Sequence, residues 1–442
     1  MDDHKVDSQK YVNLKITDEE SVICSGIRDL QPSDEIGENK QPLLMDIPGS
    51  IASTLKMFKK FAFWSTQPMV QKDEYVTSNR CITPKRRAAE IRAEPYALPI
   101  GFMWVLVDLA NNIELEELYK LLNENYVEDG RKLFRLDNQP DFLKWALKPP
   151  GWKSDWHVGV RVETTGQLVA FISAIPGKLR CYNKVIKVVD VNFMCVHKRL
   201  RGKRVAPILM REITRRVNLK GIFQAFFTAG VHLPTPVGSC RCWHRFLNPQ
   251  KLVEVRYTPM SRNLTVQHAL QLYSLPNETK TKGFRPIREE DMDQAHKLLE
   301  KYLTRFKLCP VFSKDEFSHW FTPKPGVIEC FVVTDAKNQV TDLASYLCLP
   351  STVIQHAKHK TISAANAFYN VATKTSWSDL LNDTMISARN NQMDVFNTLE
   401  QMEIKKHLAT LKFVPGDGMQ HYYLFNWRCP PMEPQHIALT PL

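Results

Sequence analysis

Five lysines and arginines lie within seven residues, from Lys198 to Arg204, directly after an apolar stretch that predicts a buried strand. A helical pattern begins at Val205, and Pro207 fits its first turn, where a missing N–H costs little. The start of a helix offers unpaired N–H groups and a positive dipole end, which attract phosphate. The segment therefore predicts either a grip on the phosphates of a nucleotide-bearing cofactor or a solvated basic turn. The pattern alone does not decide between them.

The charge of the chain is unevenly distributed. The 442 residues carry a net charge of +12. Residues 1–60 hold eight basic and eleven acidic side chains, a balance of −3, so residues 61–442 carry +15. A basic folded part points to anionic partners. Because no nucleic-acid-binding signature occurs, we rank a phosphorylated small molecule above a polymer and expect no specific nucleic acid partner.

The ten cysteines include no CxxC pair. Cys240 and Cys242 stand too close for a good disulfide and have a spacing that is weak for zinc. We expect buried thiols in a reducing compartment and no metal site. Neither an apolar leader nor a run of eighteen apolar residues occurs, so we expect a soluble cytoplasmic protein.

The chain divides into four predicted segments. Residues 1–60 are polar, acidic and poor in aromatics, which predicts disorder. Within and just beyond them, residues 51–61 could form an amphipathic helix whose lysines contact a membrane or a ribosome, although a solvated face is favoured. The ordered chain is predicted to comprise a first half at 61–274, a linker at 275–282 and a second half at 283–442.

Hydrophobic periodicity predicts the elements of both halves. The predicted helices of the first half cover residues 114–125, 140–147 and 205–217, and its predicted strands cover 158–163, 168–175, 185–196 and 223–228. In the second half we predict a helix at 288–306, a hairpin at 331–349 and a helix at 377–389.

The second half repeats the order of the first. The pattern W-x4-P-G at residues 145–151 recurs at residues 320–326, a shift of 175 residues. The same shift places Phe193 on Phe368. An ordered set of matches at one shift indicates duplication. We therefore predict an α+β fold of two halves related by an approximate two-fold axis, with a mostly antiparallel sheet. Because the basic turn at Lys198–Arg204 belongs to the first half, we expect that half to bind the anionic cofactor.

Seven short motifs occur together along the ordered chain. They are FWSTQP at 63–68, VNFMCVHK at 191–198, KRVAP at 203–207, TAG at 228–230, WHR at 243–245, GDG at 416–418 and YYLFNW at 422–427. In this combination the chain resembles the glycylpeptide N-tetradecanoyltransferases, or N-myristoyltransferases, from about residue 61 to residue 442.

The resemblance implies two tandem acetyltransferase-like (GNAT-like) halves with a saddle-shaped sheet. It implies transfer of myristate from myristoyl-CoA to the N-terminal glycine of a protein or nascent chain. Myristoyl-CoA would be a co-substrate, with no tightly bound cofactor. We expect a monomer in the cytoplasm, with partial membrane or ribosome association left open.

The resemblance assigns the binding of acyl-CoA to the first half. Lys203 and Arg204 suit the phosphates of CoA, together with backbone amides at the start of the following helix. Family analogy adds Phe63 and Trp64 near the CoA. The remaining candidate contacts are Met194, Cys195, Val196, Gly202, Val205 and Ala206.

The resemblance also assigns the chemistry. Two successive backbone N–H groups, those of Phe193 and Met194, would stabilise the oxyanion, and a break in strand pairing there would free them. The terminal carboxylate of Leu442 would act as the base, with Asn192 and Thr228 positioning the amine. A terminal carboxylate has an ordinary pKa of about 3.5, so burial must raise that pKa for it to be an effective base.

Cys195 lies beside the proposed oxyanion site and suggests a thioester nucleophile as an alternative. We favour a buried structural thiol, because direct transfer from CoA needs no acyl-enzyme.

Several positions depart from the family pattern. Arg131 and Lys132 stand where the family usually has an acidic run, Cys242 replaces an aromatic residue, Gly202 replaces a serine, and Pro441 removes one N–H beside the terminal carboxylate. We predict an active enzyme with an altered peptide preference. One alternative is a weak or inactive paralogue that binds acyl-CoA or glycine peptides. A third, less favoured, is an N-acyltransferase that uses another chain length.

Overall fold

The computed structural model describes residues 62–257 and 265–442. The predictions of disorder for residues 1–60 and of a helix at 51–61 lie outside these ranges. Within them, no helix combines the length and the apolar character that crossing a bilayer requires.

The predicted helices are present, with small shifts at their ends. Asn111 caps the helix Asn112–Asn125 by accepting from the amide of Ile113, and Ser376 caps the helix Trp377–Asn390 by accepting from the amide of Asp379. The helix predicted at 288–306 is shorter than expected, because a 3-10 turn at Glu289–Asp291 precedes it. The α-helices are α1 (Ala62–Ser65), α2 (Asn112–Asn125), α3 (Pro140–Leu147), α4 (Val205–Leu219), α5 (Pro249–Glu254), α6 (Val266–Leu272), α7 (Met292–Leu303), α8 (Lys314–Phe321) and α9 (Trp377–Asn390).

Most strands join one sheet. The strands are β1 (Arg80–Cys81), β2 (Phe102–Leu106), β3 (Phe134–Leu136), β4 (His157–Val162), β5 (Leu168–Cys181), β6 (Lys184–Val196), β7 (Ala225–Ala229), β8 (Gly238–Phe246), β9 (Phe284–Pro286), β10 (Leu308–Pro310), β11 (Ile328–Thr334), β12 (Val340–Cys348), β13 (Ser351–Val353), β14 (Thr361–Ile362), β15 (Ala364–Ala367), β16 (Val395–Leu399), β17 (Val414–Phe425) and β18 (Trp427–Arg428). Thirteen of them form a sheet in the order β2-β4-β5-β6-β7-β17-β8-β16-β15-β12-β11-β9, with β10 beside β5.

The strand order is symmetric about its centre, as duplication requires. In each half a hairpin leads to a third strand, and a helix then connects that strand to a parallel neighbour: β6 to β7 in the first half, β15 to β16 in the second. All other pairs in the sheet are antiparallel. The structure thus has the predicted α+β class with a mostly antiparallel sheet.

The two halves exchange their last strands. Strand β8 follows β7 along the chain but pairs with β16 of the second half, whereas β17 follows β16 and pairs with β7 of the first half. Strands β8 and β17 also pair with each other, which makes the sheet continuous. The exchange brings the C-terminal part of the chain beside β7. The predicted boundaries at 61–274, 275–282 and 283–442 therefore describe the order of the sequence but not the pairing in the sheet, and they stay a prediction.

The repeated tryptophans meet between the halves. The rings of Trp145 and Trp320 lie edge to face, with centroids 4.8 Å apart. The indole of Trp145 donates to the carbonyl of His319 at 3.0 Å, and the ring of His319 bonds to the carbonyl of Trp145 at 2.8 Å. The sequence repeat thus marks an internal contact of the core.

Strand β5 is longer than predicted. The predicted strand covers residues 168–175, but β5 continues through Pro176 to Cys181. On the side away from β6, the partner of β5 is β4 up to Ser173 and β10 from Leu179 onward. Pro176 lies in the gap between these partners, where a missing N–H interrupts no ladder.

Candidate active site

Strand β6 contains a β-bulge at the two residues that are predicted to present their amides. In the ladder with β5, Asn192 pairs with Ser173 and Cys195 pairs with Phe171. Phe193 and Met194 therefore face a single residue of β5. A bulge of this kind takes the backbone out of the regular ladder and turns it in a new direction. The predicted break in strand pairing is present, and the catalytic role of the two amides remains a proposal.

Packing holds the bulge in place. Phe193 has a φ of 52°, in the left-handed region that a bulky residue adopts only where its surroundings impose it. Its ring is 2% exposed. The ring contacts Tyr126 and Phe142, with centroids 6.0 Å and 6.5 Å away. The side chain of Phe193 thus anchors a backbone conformation that would otherwise be unfavourable.

An apolar cleft opens beside the bulge, with a volume of about 850 Å³ that includes space open to solvent. Trp64 stacks on Phe227 with centroids 5.4 Å apart, and its buried indole N–H has no hydrogen-bond partner in the described chain. That N–H is available to a ligand. The predicted site residues that line the cleft are Phe63, Trp64, Phe193, Met194 and Thr228.

A second, smaller space, the extension, adjoins the cleft. This space of about 250 Å³ shares Val191, Ile213 and Ala225 with the cleft lining and reaches as far as Val217 and Phe223. Its lining is mainly apolar. The cleft and its extension offer a mainly apolar lining to a hydrocarbon chain, whose burial is favourable at ~0.8 kcal/mol for each methylene.

The basic turn, Lys198–Arg204, lies between β6 and α4. Two of its five cationic side chains bind other residues of the protein. Lys198 donates to the carboxylate of Glu128 at 2.9 Å, and Arg201 donates to the backbone carbonyl of Asn125. These two cations therefore serve the fold. Within residues 62–257 and 265–442, the side chains of Arg199, Lys203 and Arg204 make neither an ion pair nor a hydrogen bond.

The free cations stand next to the start of α4. Arg204 precedes the helix with φ 60° and makes no side-chain cap, so its side chain leaves the first N–H groups of α4 unoccupied. Gly202 has φ 76°, a conformation that suits glycine. Lys203 and Arg204 are exposed beside the amides of Val205 and Ala206. The arrangement suits a phosphate group.

Strand β6 also carries a carboxylate that sequence reasoning missed. Asp190 accepts a hydrogen bond at 2.8 Å from the amide group of Asn192, which lies two residues further along the strand. Burial raises the pKa of Asp190 to about 7, and the bond from Asn192 opposes that rise. The available signal was an aspartate inside the otherwise apolar stretch VVDVNF.

The C-terminal tail enters the core behind β6. The amide of Ala438 donates to the carbonyl of Leu308 at 2.8 Å. Leu442 packs against the hydrophobic cluster that contains Phe193. Leu442 and Asp190 both line a pocket of about 590 Å³, again counting open space. The tail is thus part of the packed structure rather than a frayed end.

The cleft and the tail pocket lie on opposite faces of the sheet. Val191 lines the cleft and its neighbour Asp190 lines the tail pocket, while on β7 Phe227 lines the cleft and Phe226 the tail pocket. Side chains alternate between faces along a strand. The bulge in β6 therefore stands between the two spaces.

The remaining predicted residues lie apart from both spaces. Cys195 is fully buried, with its sulfur 3.8 Å from the carbonyl of Leu121, and Val196 is also buried. Neither lines the cleft or the tail pocket. Their burial indicates a packing role for both side chains. The thiol of Cys195 faces neither the cleft nor the tail pocket.

The acidic groups near Arg131 are already occupied. The backbone amides of Leu133 and Phe134 donate to the Asp129 carboxylate at 2.6 Å and 2.7 Å. Burial tends to raise the pKa of Glu128, but the hydrogen bonds from Lys198 and Arg135 outweigh it, so the pKa is lowered. Arg131 itself is exposed. This surface offers little free negative charge to a ligand.

Comparison with known families identifies both halves of the chain. Residues 81–240 match the family model described as the N-terminal domain of myristoyl-CoA:protein N-myristoyltransferase. Residues 254–439 match the C-terminal domain of the same family. The two models together cover most of the chain.

Similar proteins and structures agree with this match. A glycylpeptide N-tetradecanoyltransferase of Drosophila melanogaster is 61% identical, over 96% of this chain and 92% of that protein. Glycylpeptide N-tetradecanoyltransferase 2 of Bos taurus is 52% identical, over 86% of this chain and 76% of that protein. The crystal structure of Saccharomyces cerevisiae N-myristoyltransferase with bound myristoyl-CoA matches with a TM-score of 0.83 and 38% identity, over 86% of this chain and 99% of that one.

Proposed function

The chain belongs to the myristoyl-CoA:protein N-myristoyltransferase family and is an acyltransferase, and from this we propose that it transfers myristate directly from myristoyl-CoA to an N-terminal glycine amine. The observation that carries the proposal is the bulge at Phe193 and Met194. It stands between an apolar cleft for the acyl donor and a pocket that holds the tail. The fold is of the predicted class, two tandem acetyltransferase-like halves.

The cleft and the basic turn bind the donor. The myristoyl chain occupies the apolar cleft and its extension past Val191. The CoA phosphates contact Lys203 and Arg204 and the first amides of α4, at Val205 and Ala206. Charge-assisted bonds from these groups hold the thioester in register with the bulge.

The bulge stabilises the transition state. The glycine nitrogen attacks the thioester carbon, and the carbonyl oxygen gains negative charge as the carbon becomes tetrahedral. The amides of Phe193 and Met194 donate to this oxygen. When the tetrahedral intermediate collapses, the carbon–sulfur bond breaks and CoA leaves as a thiolate, which takes up a proton. No acyl-enzyme forms, in keeping with the burial of Cys195.

Carboxylates that line the tail pocket accept the proton of the glycine amine. Thr228, which lines the cleft, and Asn192, next to the bulge, hold the glycine amine between the two spaces, and the carboxylate of Leu442 takes its proton from the side of the tail pocket. Asp190 shares the pocket with Leu442 and has a pKa raised to about 7 by burial. Such a group is matched to proton transfer near neutral pH. We therefore include Asp190 as a second proton acceptor beside the tail.

The decisive experiment combines purified protein, labelled myristoyl-CoA and octapeptides that begin with glycine. We expect transfer to glycine peptides and none to matched peptides that begin with alanine. Tight binding of myristoyl-CoA without transfer to any glycine peptide would favour the inactive paralogue instead. Faster transfer from a shorter acyl-CoA would favour an N-acyltransferase with another chain length.

Removal of the free cations should weaken donor binding. In the double variant Lys203→Ala and Arg204→Ala, we expect Kd for myristoyl-CoA to rise ~10–100-fold, because each lost charge-assisted bond is worth about 1.5–3 kcal/mol, with part of the loss offset by solvent. Isothermal titration at two salt concentrations measures the effect. Lys187→Ala, an exposed position on β6, is the matched control. An unchanged Kd in the double variant would contradict the phosphate assignment.

The pH profile should reveal Asp190. Its carboxyl is protonated below a pKa of about 7, so it can accept a proton only above that pH. We expect the single-turnover rate to rise through this range, and Asp190→Asn to flatten the rise and lower the rate at pH 8 by ~10–100-fold. Asparagine keeps the shape and can still bond Asn192. A profile with the same rise in both proteins would exclude Asp190 as an acceptor.

The peptide preference should depend on Arg131. The carboxylates of Glu128 and Asp129 already accept hydrogen bonds from other groups of the protein, and Arg131 is exposed. We therefore expect this surface to attract basic residues at the sixth or seventh peptide position only weakly. The variant Gly130→Asp with Arg131→Asp should lower KM for such peptides ~3–10-fold and leave KM for neutral peptides unchanged. Ala336→Asp with Lys337→Asp, on a distant exposed turn, changes the net charge by the same amount and is the control. Equal KM values for basic peptides before and after the change would refute this explanation.

A further inference from the structure

A chain of buried hydrogen bonds ends on the tail, two residues before Leu442. The hydroxyl of Tyr422 donates to the amide oxygen of Gln401 at 3.1 Å, and the amide nitrogen of Gln401 donates to the hydroxyl of Thr440 at 2.9 Å. Tyr422 is 1% exposed and Gln401 is 3% exposed. Each donor in this chain meets an acceptor, so the orientation of the Gln401 amide is fixed by both of its partners.

Thr440 is also held from the second half of the sheet. Its hydroxyl donates to the carbonyl of Phe368 at 3.1 Å, and its amide donates to the hydroxyl of Tyr369 at 3.2 Å. The neighbouring backbone is tied as well, since the amide of Met402 donates to the carbonyl of Ile437 at 3.1 Å. Buried hydrogen bonds are directional and costly to leave unmade. Thr440 therefore has one favoured position.

Pro441 transmits that position to the end of the chain. A proline ring fixes its own φ near −65°, and it also restricts the ψ of the residue before it. The link from Thr440 to the terminal carboxylate thus retains only the ψ of Pro441 and the torsions of Leu442 as soft rotations. Because so few rotations can compensate, a shift of Thr440 also shifts the terminal carboxylate.

We propose that Gln401 is a positioning residue for the terminal carboxylate, acting through Thr440 and Pro441. This inference rests on the proposed role of Leu442 as the base. Proton transfer needs the acceptor within about 2.6–3.2 Å of the amine, and a displacement of 1 Å can cost ~10²-fold in rate. The hydrogen-bond chain from Tyr422 to Thr440 supplies the necessary precision in a tail that is only partly buried at its last three residues.

The test uses Gln401→Leu, Thr440→Val and the variant that combines them. Gln401→Leu leaves the Tyr422 hydroxyl without its acceptor and Thr440→Val leaves the Phe368 carbonyl without its donor, so we expect every variant to melt below the wild type. We expect kcat, measured as a single-turnover rate, to fall about 10-fold in each variant. The Kd for myristoyl-CoA should not change. The two changes should not be additive, since each breaks the same bond.

Thr440→Ser is the conservative variant. It keeps the hydroxyl that accepts from Gln401, so we expect at least half of the wild-type rate. A merely structural role would alter Kd for myristoyl-CoA along with kcat. Should Gln401→Leu fail to fold, the comparison of Thr440→Val with Thr440→Ser still decides, because Thr440 is only partly buried.

Two failures can be told apart. Wild-type kcat in both Gln401→Leu and Thr440→Val, in a protein that loses activity when its tail is extended, would overturn the positioning role and leave Leu442 as the base. Full activity after extension of the tail would overturn the role of Leu442 itself. Loss of kcat in Thr440→Val with equal loss in Thr440→Ser would also overturn the proposal, because the hydroxyl would not matter.

Discussion

A short tag fused after Leu442 is expected to abolish transfer and to leave the binding of myristoyl-CoA unchanged. The tag converts the terminal carboxylate into a neutral amide, which removes the proposed base. The added residues must also extend out of the pocket of about 590 Å³ that Leu442 and Asp190 line. A positioned base contributes ~10²–10⁴-fold to a rate. The single-turnover rate with a glycine peptide should fall by at least that factor.

The controls distinguish loss of the terminal carboxylate from damage to the fold. The same tag placed before Met1 should leave the rate within 2-fold of the untagged protein, about 0.4 kcal/mol. Deletion of Leu442 alone returns a carboxylate on Pro441, displaced by about 3.8 Å, and should restore only part of the rate. An active protein with the tag after Leu442 would rule out the carboxylate as the base.

Replacement of the backbone N–H of Met194 by an ester oxygen is the second large effect we expect. The ester keeps the side chain and the course of the strand but removes one proposed donor to the oxyanion. Loss of such a donor costs about 3 kcal/mol, so kcat should fall ~10²–10³-fold. The variant can be made by inserting the α-hydroxy acid analogue of methionine at this position. KM for the peptide and Kd for myristoyl-CoA should stay near their wild-type values.

The matched control inserts the same hydroxy acid at Met103. This residue lies in strand β2 and pairs with Arg161, far along the sheet from the bulge. Loss of an N–H there should change kcat by less than 2-fold. Retention of normal kcat in the Met194 ester, with the Met103 ester equally active, would exclude that amide from the oxyanion site.

Local sequence pattern predicted the helices and the internal repeat well. The helix predicted at residues 140–147 has those bounds in the structure, because an apolar stripe begins at Pro140, whose ring suits a helix start, and ends before two prolines. The W-x4-P-G repeat correctly indicated duplication, since each copy places its tryptophan in the same contact between the halves.

The pairing of strands could not be read in the same way. Periodicity shows that a segment such as β8 or β17 is a strand, but it does not show which neighbour the strand takes, because both candidate neighbours present suitable faces. The bulge at Phe193 is likewise invisible to periodicity, and family resemblance indicated its place. Asp190 was missed because its proton affinity depends on burial by β7 and the tail, which are distant in sequence.

The exchange of β8 and β17 has a consequence for the life of the chain on the ribosome. The first half can be synthesised in full without the neighbour that its strand β7 requires, since β17 begins only at Val414. Contacts between segments so far apart close late, because their loop must be ordered first. We therefore expect the sheet to be completed only late in synthesis, when β17 becomes available to pair with β7. The tail that follows this strand packs into the core, so the same late step completes the sheet and places the residues that we propose for proton transfer.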